Sequence, residues 1–501
     1  MAAVTVARGP AALSRCRAIA GGGVLLLLAG CTLGPDFVRP VTAGPERYGR
    51  DALLAQTVPA EGGVQHLLAG ADLPAEWWTL FKSPRLDVQV RAALAANPTL
   101  QAAEASLRQS QDRLQAGKGV FYPQLALAGS AVRERSAPVQ QGGQGGLGIF
   151  NLLTLNGTIS YALDVFGGER RGVEGLQAQA DQQSCLVRAA YLTLTATVVD
   201  TIIGRAAYAE QRRATEQLIA LQEGQVQAAD NAYRAGIGTY ANVLALRSLR
   251  ASNQALLPAL RQRVAEADHL LATLGGSLPA EAGATAIELS ELSLPLDVPV
   301  SLPSALVHRR PDILAAEQAM HAASAGIGVA TAAMYPAISL DAAYGSAATR
   351  FAGLSAASAR FWSIGPAVSL PVFQGGRLWY GRQGAIDAWQ QTQAEYRQTV
   401  LSAFAQVADS LDALDNDARI LQARDSAWDA AGESLALLDA NQRAGTIAFV
   451  DVLAGDVLYH QAAVARLQTL AQRYQDTVAL FVALGGGWWN APGSQAAGSA
   501  P

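Results

Sequence analysis

Charged side chains are scarce in this sequence, and neither sign dominates. They make up 16% of the 501 residues, and the formal net charge is −4. Proteins that bind nucleic acid through its phosphates carry a basic patch or an overall excess of Lys and Arg. The composition therefore predicts that nucleic acid is not a partner.

Residues that hold metals or carry out catalysis are also few. Three methionines and three cysteines provide no series of soft sulfur ligands for copper or a heavy metal. The sequence contains no phosphate-binding loop and no Gly-x-Ser-x-Gly motif. The histidines show no metal-ligand spacing, and they are His66, His269, His308, His321 and His460. These absences predict a protein without a metal site, a cofactor or an enzymatic activity.

The apolar run near the N-terminus is too short to span a bilayer. It ends in Leu25–Leu28, follows three arginines, and leads to Leu-Ala-Gly-Cys at Cys31. This pattern is typical of a secretory signal peptide and resembles the cleavage site of bacterial lipoproteins. We predict that residues 1–30 are removed and that Cys31 is lipidated; the alternative is a buried cysteine after an anchor helix. Cys185 then remains as the free thiol, which excludes an intrachain disulfide.

The rest of the chain repeats one plan twice. Pro98 corresponds to Pro311 and Tyr122 to Tyr335, both at an offset of 213 residues. An Arg-Ala-Gly sequence followed by Val-Leu also occurs once in each copy. Such self-similarity predicts a duplicated structural unit. The predicted segments are a signal peptide (1–30), an N-terminal segment (31–95), a first repeat (96–276), a linker (277–308), a second repeat (309–487) and a tail (488–501).

Each repeat contains two stretches in which apolar and polar side chains alternate. The clearest are residues 153–165 and 362–372; residues 338–345 and a weaker stretch from Gln124 follow the same period of two. Four segments of about ten residues with this pattern are typical of transmembrane β-strands. The edge of a soluble β-sandwich is the alternative. The residues assigned to the lipid-facing side are Leu153, Leu155, Ile159, Leu163, Trp362, Ile364, Val368 and Leu370.

Long helices with coiled-coil spacing follow the strands. Residues 168–234 predict a helix of about 100 Å at 1.5 Å per residue, and a returning helix begins at Tyr240. Pro258 should bend this returning helix. Each Arg-Ala-Gly sequence lies between an outgoing and a returning helix. Gly236 and Gly445 then provide the left-handed residue that ends the outgoing helix.

Several motifs together resemble the TolC-like outer-membrane efflux proteins, in the lipoprotein branch that works with resistance–nodulation–division pumps. From about residue 31 to 489 the chain reads, in the family's order, LAGCTLGPDFVRP, WWTLFKSPRL, FYPQLAL, YALDVFGGERR, LVHRRPDILAAEQ, SLPVFQGGR and ALGGGW. The resemblance implies a mixed α and β membrane protein. It implies a trimer with a β-barrel in the outer membrane, continued by a long periplasmic α-helical barrel, and an equatorial domain from residues 36–95, 277–308 and 486–501.

The number of strands agrees with a trimer. Four strands per chain cannot close a barrel, because the smallest bacterial barrels have eight. Unpaired strand edges are not tolerated in lipid, so chains must share a barrel. Three chains with four transmembrane β-strands each give a twelve-stranded β-barrel. The resemblance also implies a periplasmic adaptor and an inner-membrane pump as partners, and a lipid-anchored location in the outer membrane that extends into the periplasm.

The two hairpin turns are the candidate functional site. We assign docking of the adaptor to Arg234, Gly236, Arg443 and Gly445. Six hairpins in a trimer would offer six equivalent grooves, and an arginine suits the negative end of each outgoing helix. The alternative is that the turns only connect helices.

The Asp-Ala-Gln-Arg-like run that commonly follows Val-Leu in the family is not matched here, so the resemblance does not identify the acids of a periplasmic constriction. Asp451 and Asp456 are the nearest acids, and they are the candidates for a periplasmic constriction. Solvated surface carboxylates are the alternative for both residues.

The motifs favour a passive exit duct that conducts drugs or other small molecules from a pump and adaptor to the exterior. One alternative is the outer-membrane component of a type I protein secretion system, although the LGPDF sequence near the start favours the pump-linked branch. A second alternative is a non-channel, trimeric coiled-coil structural lipoprotein, against which the alternating strands argue.

Overall fold

The computed structural model describes residues 32–40, 47–49, 53–135, 149–281 and 286–491. The predicted signal peptide and the predicted lipidation of Cys31 lie outside these residues. Most of the predicted tail, from residue 492 onward, also lies outside them.

Helices and strands occur in the order that the duplication predicts. Each repeat has a first helix, two strands, a helix of 67 residues and a returning helix. The helices are α1 (Pro84–Ala96), α2 (Pro98–Lys118), α3 (Gly168–Arg234), α4 (Tyr240–Gln254), α5 (Leu256–Leu274), α6 (Pro303–Leu306), α7 (Pro311–Ala332), α8 (Arg377–Arg443) and α9 (Phe449–Ala483). The strands are β1 (His66–Ala69), β2 (Gln124–Arg135), β3 (Ile149–Leu163), β4 (Asp297–Val300), β5 (Ala337–Ala348) and β6 (Arg360–Ser369). The mixed fold and its internal duplication are confirmed.

The two returning helices differ at a proline. The first is divided into α4 and α5 at Ala255, three residues before Pro258. Proline lacks the N–H that would bond to the preceding turn, and its ring crowds the carbonyl four residues earlier. The second returning helix, α9, has Leu467 at the corresponding position and runs without a break for 35 residues. Pro258 therefore interrupts the returning helix where the sequence predicts a bend.

The chain forms two compact units that cut across the repeats. Of the described residues, the strand unit contains those within 32–39, 108–182 and 317–395, and the helical unit contains those within 40–107, 183–316 and 396–491. Both repeats contribute their alternating strands to the strand unit and their helical hairpin to the helical unit. Each unit therefore contains one part from each repeat: a pair of strands in the strand unit, and most of a helical hairpin in the helical unit.

The strand unit contains a four-stranded antiparallel sheet in the order β2-β3-β5-β6. Ile159 lies opposite both Leu125 and Ala342, and Ala342 lies opposite Ile364. Directly opposed residues share a face, so the apolar sides of the four strands form one continuous surface. The predicted alternation is confirmed. This surface, most of whose large side chains are exposed, contains Leu125, Leu127, Leu155, Ile159, Leu163, Leu340, Tyr344, Trp362, Ile364 and Val368.

The motif that begins at Trp77 lies in the core of the helical unit. Trp77, Trp78 and Phe81 are buried, and the rings of Trp77 and Phe81 lie 5.8 and 6.4 Å from the ring of Phe481. The indole N–H of Trp78 donates to Asp87 Oδ1 at 2.9 Å. These contacts attach the N-terminal segment to α9, since buried aromatic rings contribute large apolar areas.

The N-terminal segment also pairs with the linker between the repeats. β1 and β4 form a two-stranded parallel sheet in which Leu67 lies opposite Val298. Near the end of the chain, the indole N–H of Trp488 donates to the Arg309 carbonyl oxygen at 2.7 Å, and the Arg188 guanidinium lies 4.0 Å from the Trp488 ring centroid. Segments far apart in the sequence therefore meet within the helical unit.

One stretch of α3 is long and apolar enough to cross a membrane by length and composition. Val198, Val199, Ile202 and Ile203 on this helix are buried in the core of the helical unit. Burial within the protein therefore accounts for part of the apolar character of this stretch, of which 44% is buried.

A buried arginine and a buried carboxyl group lie on facing helices of the helical unit. Arg473 of α9 is fully buried; its Nη1 donates to the Glu61 carbonyl oxygen at 2.7 Å and its Nη2 to the Gly63 carbonyl oxygen at 2.9 Å. Asp417 of α8 is 8% exposed. Burial and a hydrogen bond with Asp476 raise the pKa of Asp417 to about 8, against the opposing effect of the Arg473 charge. Asp417 therefore retains a proton at neutral pH.

Candidate functional site

The first hairpin turn ends α3 with a left-handed glycine. The helix ends at Arg234, and Gly236 has a φ of +78°. The Gly236 N–H donates to the Tyr233 carbonyl oxygen at 3.0 Å, and the Ile237 N–H donates to the Ala232 carbonyl oxygen at 3.1 Å. These bonds satisfy carbonyl groups that a helix end leaves unpaired. The predicted conformation of Gly236 is confirmed.

The second turn has the same geometry. The helix α8 ends at Arg443, and Gly445 has a φ of +74°. Its N–H donates to the Gln442 carbonyl oxygen at 3.0 Å, and the Thr446 N–H donates to the Asn441 carbonyl oxygen at 3.0 Å. At both glycines, no atom lies within 4 Å of the position that a Cβ would occupy. The left-handed backbone, rather than crowding, accounts for glycine at both turns.

The arginines before the two turns have different surroundings. Nη2 of Arg234 lies 2.6 Å from Asp230 Oδ2, one helical turn earlier, and Arg247 of α4 approaches the other Asp230 oxygen at 3.7 Å. Arg443 is exposed, and it forms no ion pair within the residues that the structure describes. Both turns carry positive charge at the negative end of a helix, but only the charge at the first turn is held by a carboxylate of its own helix.

Apolar side chains surround the first turn. Ile237 is 84% exposed, and the rings of Tyr233 and Tyr240 beside it lie 5.3 Å apart. Farther from the turn, Val243 of α4 is buried in one cluster with Leu453 of α9. The two hairpins therefore share a small core, while the first turn presents an isoleucine and two tyrosines to the surroundings.

The Val-Leu pair that follows each turn predicts that Val243-Leu244 and Val452-Leu453 pack the two helices of each hairpin, and this prediction is wrong for one of the four residues. Val243, Val452 and Leu453 are buried, but Leu244 is 49% exposed. Adjacent residues on a helix point about 100° apart, so the contact stripe on α4 covers Val243 but not Leu244, whereas α9 is covered over a wider face that includes both Val452 and Leu453.

Asp451 lies at the start of α9 and is exposed. Its Oδ2 accepts the Ala448 N–H at 3.2 Å. This contact caps the helix, and a negative charge is favourable at a helix N-terminus. Asp451 is therefore both a capping residue and an exposed carboxylate close to the second turn.

Asp456 lies in a different environment. It is 5% exposed, and its Oδ1 is 3.6 Å from Nε2 of His460, one helical turn later. Burial raises the pKa of Asp456, although His460 and a hydrogen bond from Gln225 favour its charged form. Burial also lowers the pKa of His460. The alternative of a solvated carboxylate is wrong for Asp456, because side chains of its own chain enclose it.

Residues 32–39, which lie before the helical unit in the chain, are held by an arginine of the strand unit. Arg171 of α3 is buried, and its Nη2 donates to Asp36 Oδ1 at 2.5 Å, its Nη1 to Glu174 Oε2 at 2.7 Å, and its Nε to the Leu33 carbonyl oxygen at 3.3 Å. A buried guanidinium with three acceptors is a strong, directional contact. We call residues 32–39 the N-terminal strap.

Ring stacking and close backbone contact complete the hold on the N-terminal strap. Phe37 stacks on His321 at a centroid distance of 4.3 Å, and Arg39 pairs with Glu317 at 2.7 Å. Gly34 has a φ of +95°, and a Cβ there would lie 2.5 Å from the Gly328 Cα atom. The LGPDF motif hints at this role through its glycine, but the partners lie more than a hundred residues away in sequence.

Within the described residues, no group of three or more His, Cys, Asp or Glu side chains is placed to hold a metal ion. Cys185 is buried. The arrangement of the described residues offers surfaces for binding rather than groups for catalysis. These surfaces are an apolar sheet face, two charged turns and a fixed N-terminal strap.

The sheet has one exposed apolar face, and the duplicated chain adds two long helical hairpins. This combination defines a class of membrane protein whose strands have one face suited to contact with lipid. A family profile described as "Outer membrane efflux protein" matches residues 90–277 and 302–486. The chain belongs to the outer membrane efflux protein family. The resemblance inferred from the sequence motifs is thereby confirmed, and the protein is an efflux component of the outer membrane.

Individual relatives agree with this assignment. Pyoverdine export outer membrane protein OpmQ of Pseudomonas aeruginosa is 30% identical over 424 residues, which cover 82% of this chain and 87% of OpmQ. Cation efflux system protein CusC of Escherichia coli is 28% identical over 490 residues, which cover 93% of this chain and 97% of CusC. The solved structure of the outer-membrane channel OprN matches with a TM-score of 0.82 at 26% identity, covering 91% of this chain and 100% of OprN.

Proposed function

We propose that three copies of this chain close a twelve-stranded β-barrel in the outer membrane and form the passive exit duct of a tripartite efflux system. The observation that carries this proposal is the four-stranded sheet, in which β2 and β6 each have one unpaired edge within the described chain. Every backbone N–H and C=O in lipid must be paired, so these edges require strands from neighbouring copies. Three sheets give twelve strands, an even number within the range of bacterial barrels.

The two faces of the sheet suit opposite sides of such a barrel. The apolar face would contact lipid, and the small and polar side chains of the other face, among them Asn156, Thr158 and Ser160, would line a water-filled lumen. Alternation of lipid-facing and lumen-facing residues is the rule for transmembrane barrels. A structural coiled-coil lipoprotein would have no use for an exposed apolar sheet, so the second alternative function has little support.

The N-terminal strap supports a lipid anchor at Cys31. Thr32 lies against Gly167, four residues after the end of β3, and the Leu33 N–H donates to the Phe166 carbonyl oxygen at 3.1 Å. An acyl chain on the preceding residue would therefore start beside the end of the strands at which the long helix α3 begins. In the proposed orientation that end faces the periplasm, where the inner leaflet of the outer membrane can accept the acyl chains.

The two hairpin turns would dock a periplasmic adaptor, which in turn connects to an inner-membrane pump. Arg234 and Arg443 supply charge, and Ile237 supplies an exposed apolar contact at the first turn. Interfaces combine an apolar anchor with a charged rim in this way. Three chains present six hairpins, which would give six similar sites.

Asp451 would line the periplasmic constriction. It is exposed near the second turn, and three copies would place three carboxylates around one axis. Asp456 contributes less to this proposal because it is enclosed within its own chain.

The transported compounds would be small molecules chosen by the pump. The names of two relatives refer to different cargoes, pyoverdine for OpmQ and cations for CusC. A duct shared by such different cargoes would conduct them without selecting them. The type I protein secretion alternative has less support because neither name refers to a protein cargo.

Conductance across planar lipid bilayers tests the proposal directly. Protein purified from outer membranes should insert as trimers and conduct ions. Deletion of the gene should increase accumulation of at least some members of a panel of small toxic compounds, and a plasmid copy should reverse the effect. Protein that fractionates with the outer membrane but neither conducts nor alters accumulation would contradict the proposed duct.

A further inference from the structure

Three arginines interrupt the apolar face of the sheet at the end where its loops lie. Arg133 and Arg135 are near the end of β2, and Arg360 begins β6. Arg133 and Arg135 are an even number of residues from Leu127, and Arg360 is two residues from Trp362. Residues separated by an even number of positions share a face of a strand. All three arginines therefore lie on the surface that the barrel would turn toward lipid.

The register places Arg133 and Arg135 beyond the row of Leu153, and it places Arg360, the first residue of β6, in the row of Leu155 at the loop end of the sheet. Arg133 lies opposite Asn151, Arg135 opposite Ile149, and Arg360 opposite Ser346. An arginine on the lipid face is strongly unfavourable near the bilayer midplane and nearly neutral at an interface. The three arginines therefore mark the outer interface of the membrane rather than its interior.

The height of the apolar surface agrees with this placement. Arg360 and Val368 are eight residues apart on β6, about 27 Å along the strand at 3.4 Å per residue. A strand tilt of about 40° reduces this to roughly 20 Å along the membrane normal, most of the roughly 25 Å apolar band of outer-membrane barrels. Tyr344 and Trp362, one row inside Arg360, are directly opposed and exposed, as expected of an aromatic girdle.

In the described part of the sheet, no acidic side chain on this surface offsets the arginines. Arg133, Arg135 and Arg360 are exposed, and none of them forms an ion pair or a hydrogen bond with another described residue. Glu134 lies between two of them in sequence, but the alternation of the strand places it on the opposite face. Among the described residues, the outer rim of the apolar face thus has a concentrated positive charge without a protein partner.

We propose that Arg133, Arg135 and Arg360 form a binding surface for phosphate groups on the headgroups of outer-leaflet glycolipid. A guanidinium group matches phosphate with two parallel hydrogen bonds, and its long apolar stem can lie along the lipid-facing surface while the charge reaches the headgroups. Positive side chains next to a membrane-spanning surface bind anionic headgroups for the same reason. The inference rests on the proposed barrel, since the apolar face must be in lipid for these side chains to meet headgroups.

The test compares lipids that differ in phosphate. Detergent-purified trimers are incubated with diphosphoryl lipid A, monophosphoryl lipid A or phosphatidylethanolamine, and retained lipid is counted by native mass spectrometry. Wild-type protein should retain diphosphoryl lipid A best. The triple variant Arg133→Gln/Arg135→Gln/Arg360→Gln should bind it at least about tenfold more weakly, given the contribution of each cation near a charged headgroup. Substitution of the same three residues by lysine should restore most of the binding.

A matched control separates this surface from a general effect of charge. Arg113, Arg397 and Arg424 are exposed on helices and form no ion pair within the described residues. Their replacement by glutamine removes the same charge and should leave lipid retention unchanged. Equal retention of the three lipids by wild-type trimers would overturn the inference, even where the glutamine variant fails to assemble. The inference would also be overturned if trimers of the triple glutamine variant conduct ions but retain diphosphoryl lipid A normally, and that result would leave the exit duct intact. Wild-type protein that forms no conducting trimers would instead count against the duct.

Discussion

Val368 of β6 lies directly opposite Ile338 of β5, and both side chains belong to the apolar face of the strand unit's sheet. Their neighbours Ala367 and Ser339 are also paired with each other, but on the opposite face. One residue step along either strand therefore exchanges an apolar surface for a polar one.

A lysine at Val368 should impair assembly more than a lysine at Ala367. The first would place a charge against lipid toward the periplasmic edge of the apolar band, at a cost below the roughly 2–4 kcal/mol of the midplane, whereas the second would place it in the aqueous lumen. The measurement is the yield of folded trimer extracted from the outer membrane, for the two variants expressed at matched levels. Equal and mild losses would mean that the two faces are assigned incorrectly.

Replacement of both turn glycines by valine should separate assembly from export. Gly236 and Gly445 have positive φ angles, and a residue with a Cβ costs about 1 kcal/mol or more in that conformation. The strand unit contains neither residue, so we expect trimers in the outer membrane with little export and little cross-linking to the adaptor. Gly224→Val is the control, because Gly224 lies in regular helix α3 with open space around it. Normal export by the double variant would show that the turns only connect helices and do not dock the adaptor.

A valine at Gly34 should release the N-terminal strap from the strand unit. Its Cβ would lie 2.5 Å from the Gly328 Cα atom, on a backbone with a φ of +95°. Chymotrypsin cleavage after Phe37, whose ring stacks on His321, should become several-fold faster in detergent-solubilised protein. Gly49→Val introduces the same side chain where no atom lies within 4 Å, so its cleavage rate should match the wild type. If both variants are cleaved at the wild-type rate, close contact with Gly328 does not hold the strap.

The stability of the helical unit should decrease as pH rises, and Asp417 should account for part of this decrease. An aspartate titrates near 3.9 in an unfolded chain, whereas burial first, and then the hydrogen bond with Asp476, raise the pKa of Asp417 to about 8 in the folded protein. Between these pH values the folded state binds more protons at Asp417 than the unfolded state does. The contribution of Asp417 to stability is therefore fully present below about pH 4 and is lost as the pH rises to about 8.

Thermal unfolding of Asp417→Asn, followed by circular dichroism, tests this linkage. The amide imitates the protonated acid, so the variant should gain several degrees over the wild type at pH 9 and much less at pH 5. Asp429→Asn, an exposed position on the same helix, should show no such difference between the two pH values. An advantage of Asp417→Asn that is the same at both pH values would contradict a proton held by Asp417.

Lipidation at Cys31 can be checked in cells labelled with palmitate. Cys31→Ser should remain unprocessed and unlabelled, because the modified thiol is lost and the signal peptide is retained. Cys185→Ser should be labelled normally, since Cys185 is buried in α3. A product of mature size from the Cys31 variant would remove the proposed anchor.

Strands and helices whose apolar residues recur at a regular spacing could be predicted from the sequence. The alternation around Ile159 and Ile364 established the faces of two strands without knowledge of their partners, because side chains of a strand alternate strictly. Gly236 and Gly445 were predictable for a similar local reason, since a left-handed helix end selects glycine. Pro258 was predictable because proline lacks a backbone N–H.

Contacts between distant segments were not predictable in this way. The burial of Asp456 depends on how the two hairpins pack, and Leu244 was assigned to the wrong environment because helix rotation is not determined by a short motif. The contact of Arg171 with Asp36 joins residues 135 positions apart. A single sequence contains no periodic signal for such a pair, so only the folded arrangement identifies the N-terminal strap.

Closure of the barrel by three chains is most directly measured by disulfide cross-linking between the outer strands. Ala128 of β2 and Ala367 of β6 both lie on the polar face, and a cysteine at Ala128 can be combined with cysteines at alternate positions of β6 in a Cys185→Ser background. At the correct register, oxidation in the outer membrane should produce covalent dimers and trimers and no larger species. A cross-link within one chain, or a ladder that continues past three chains, would contradict the twelve-stranded barrel.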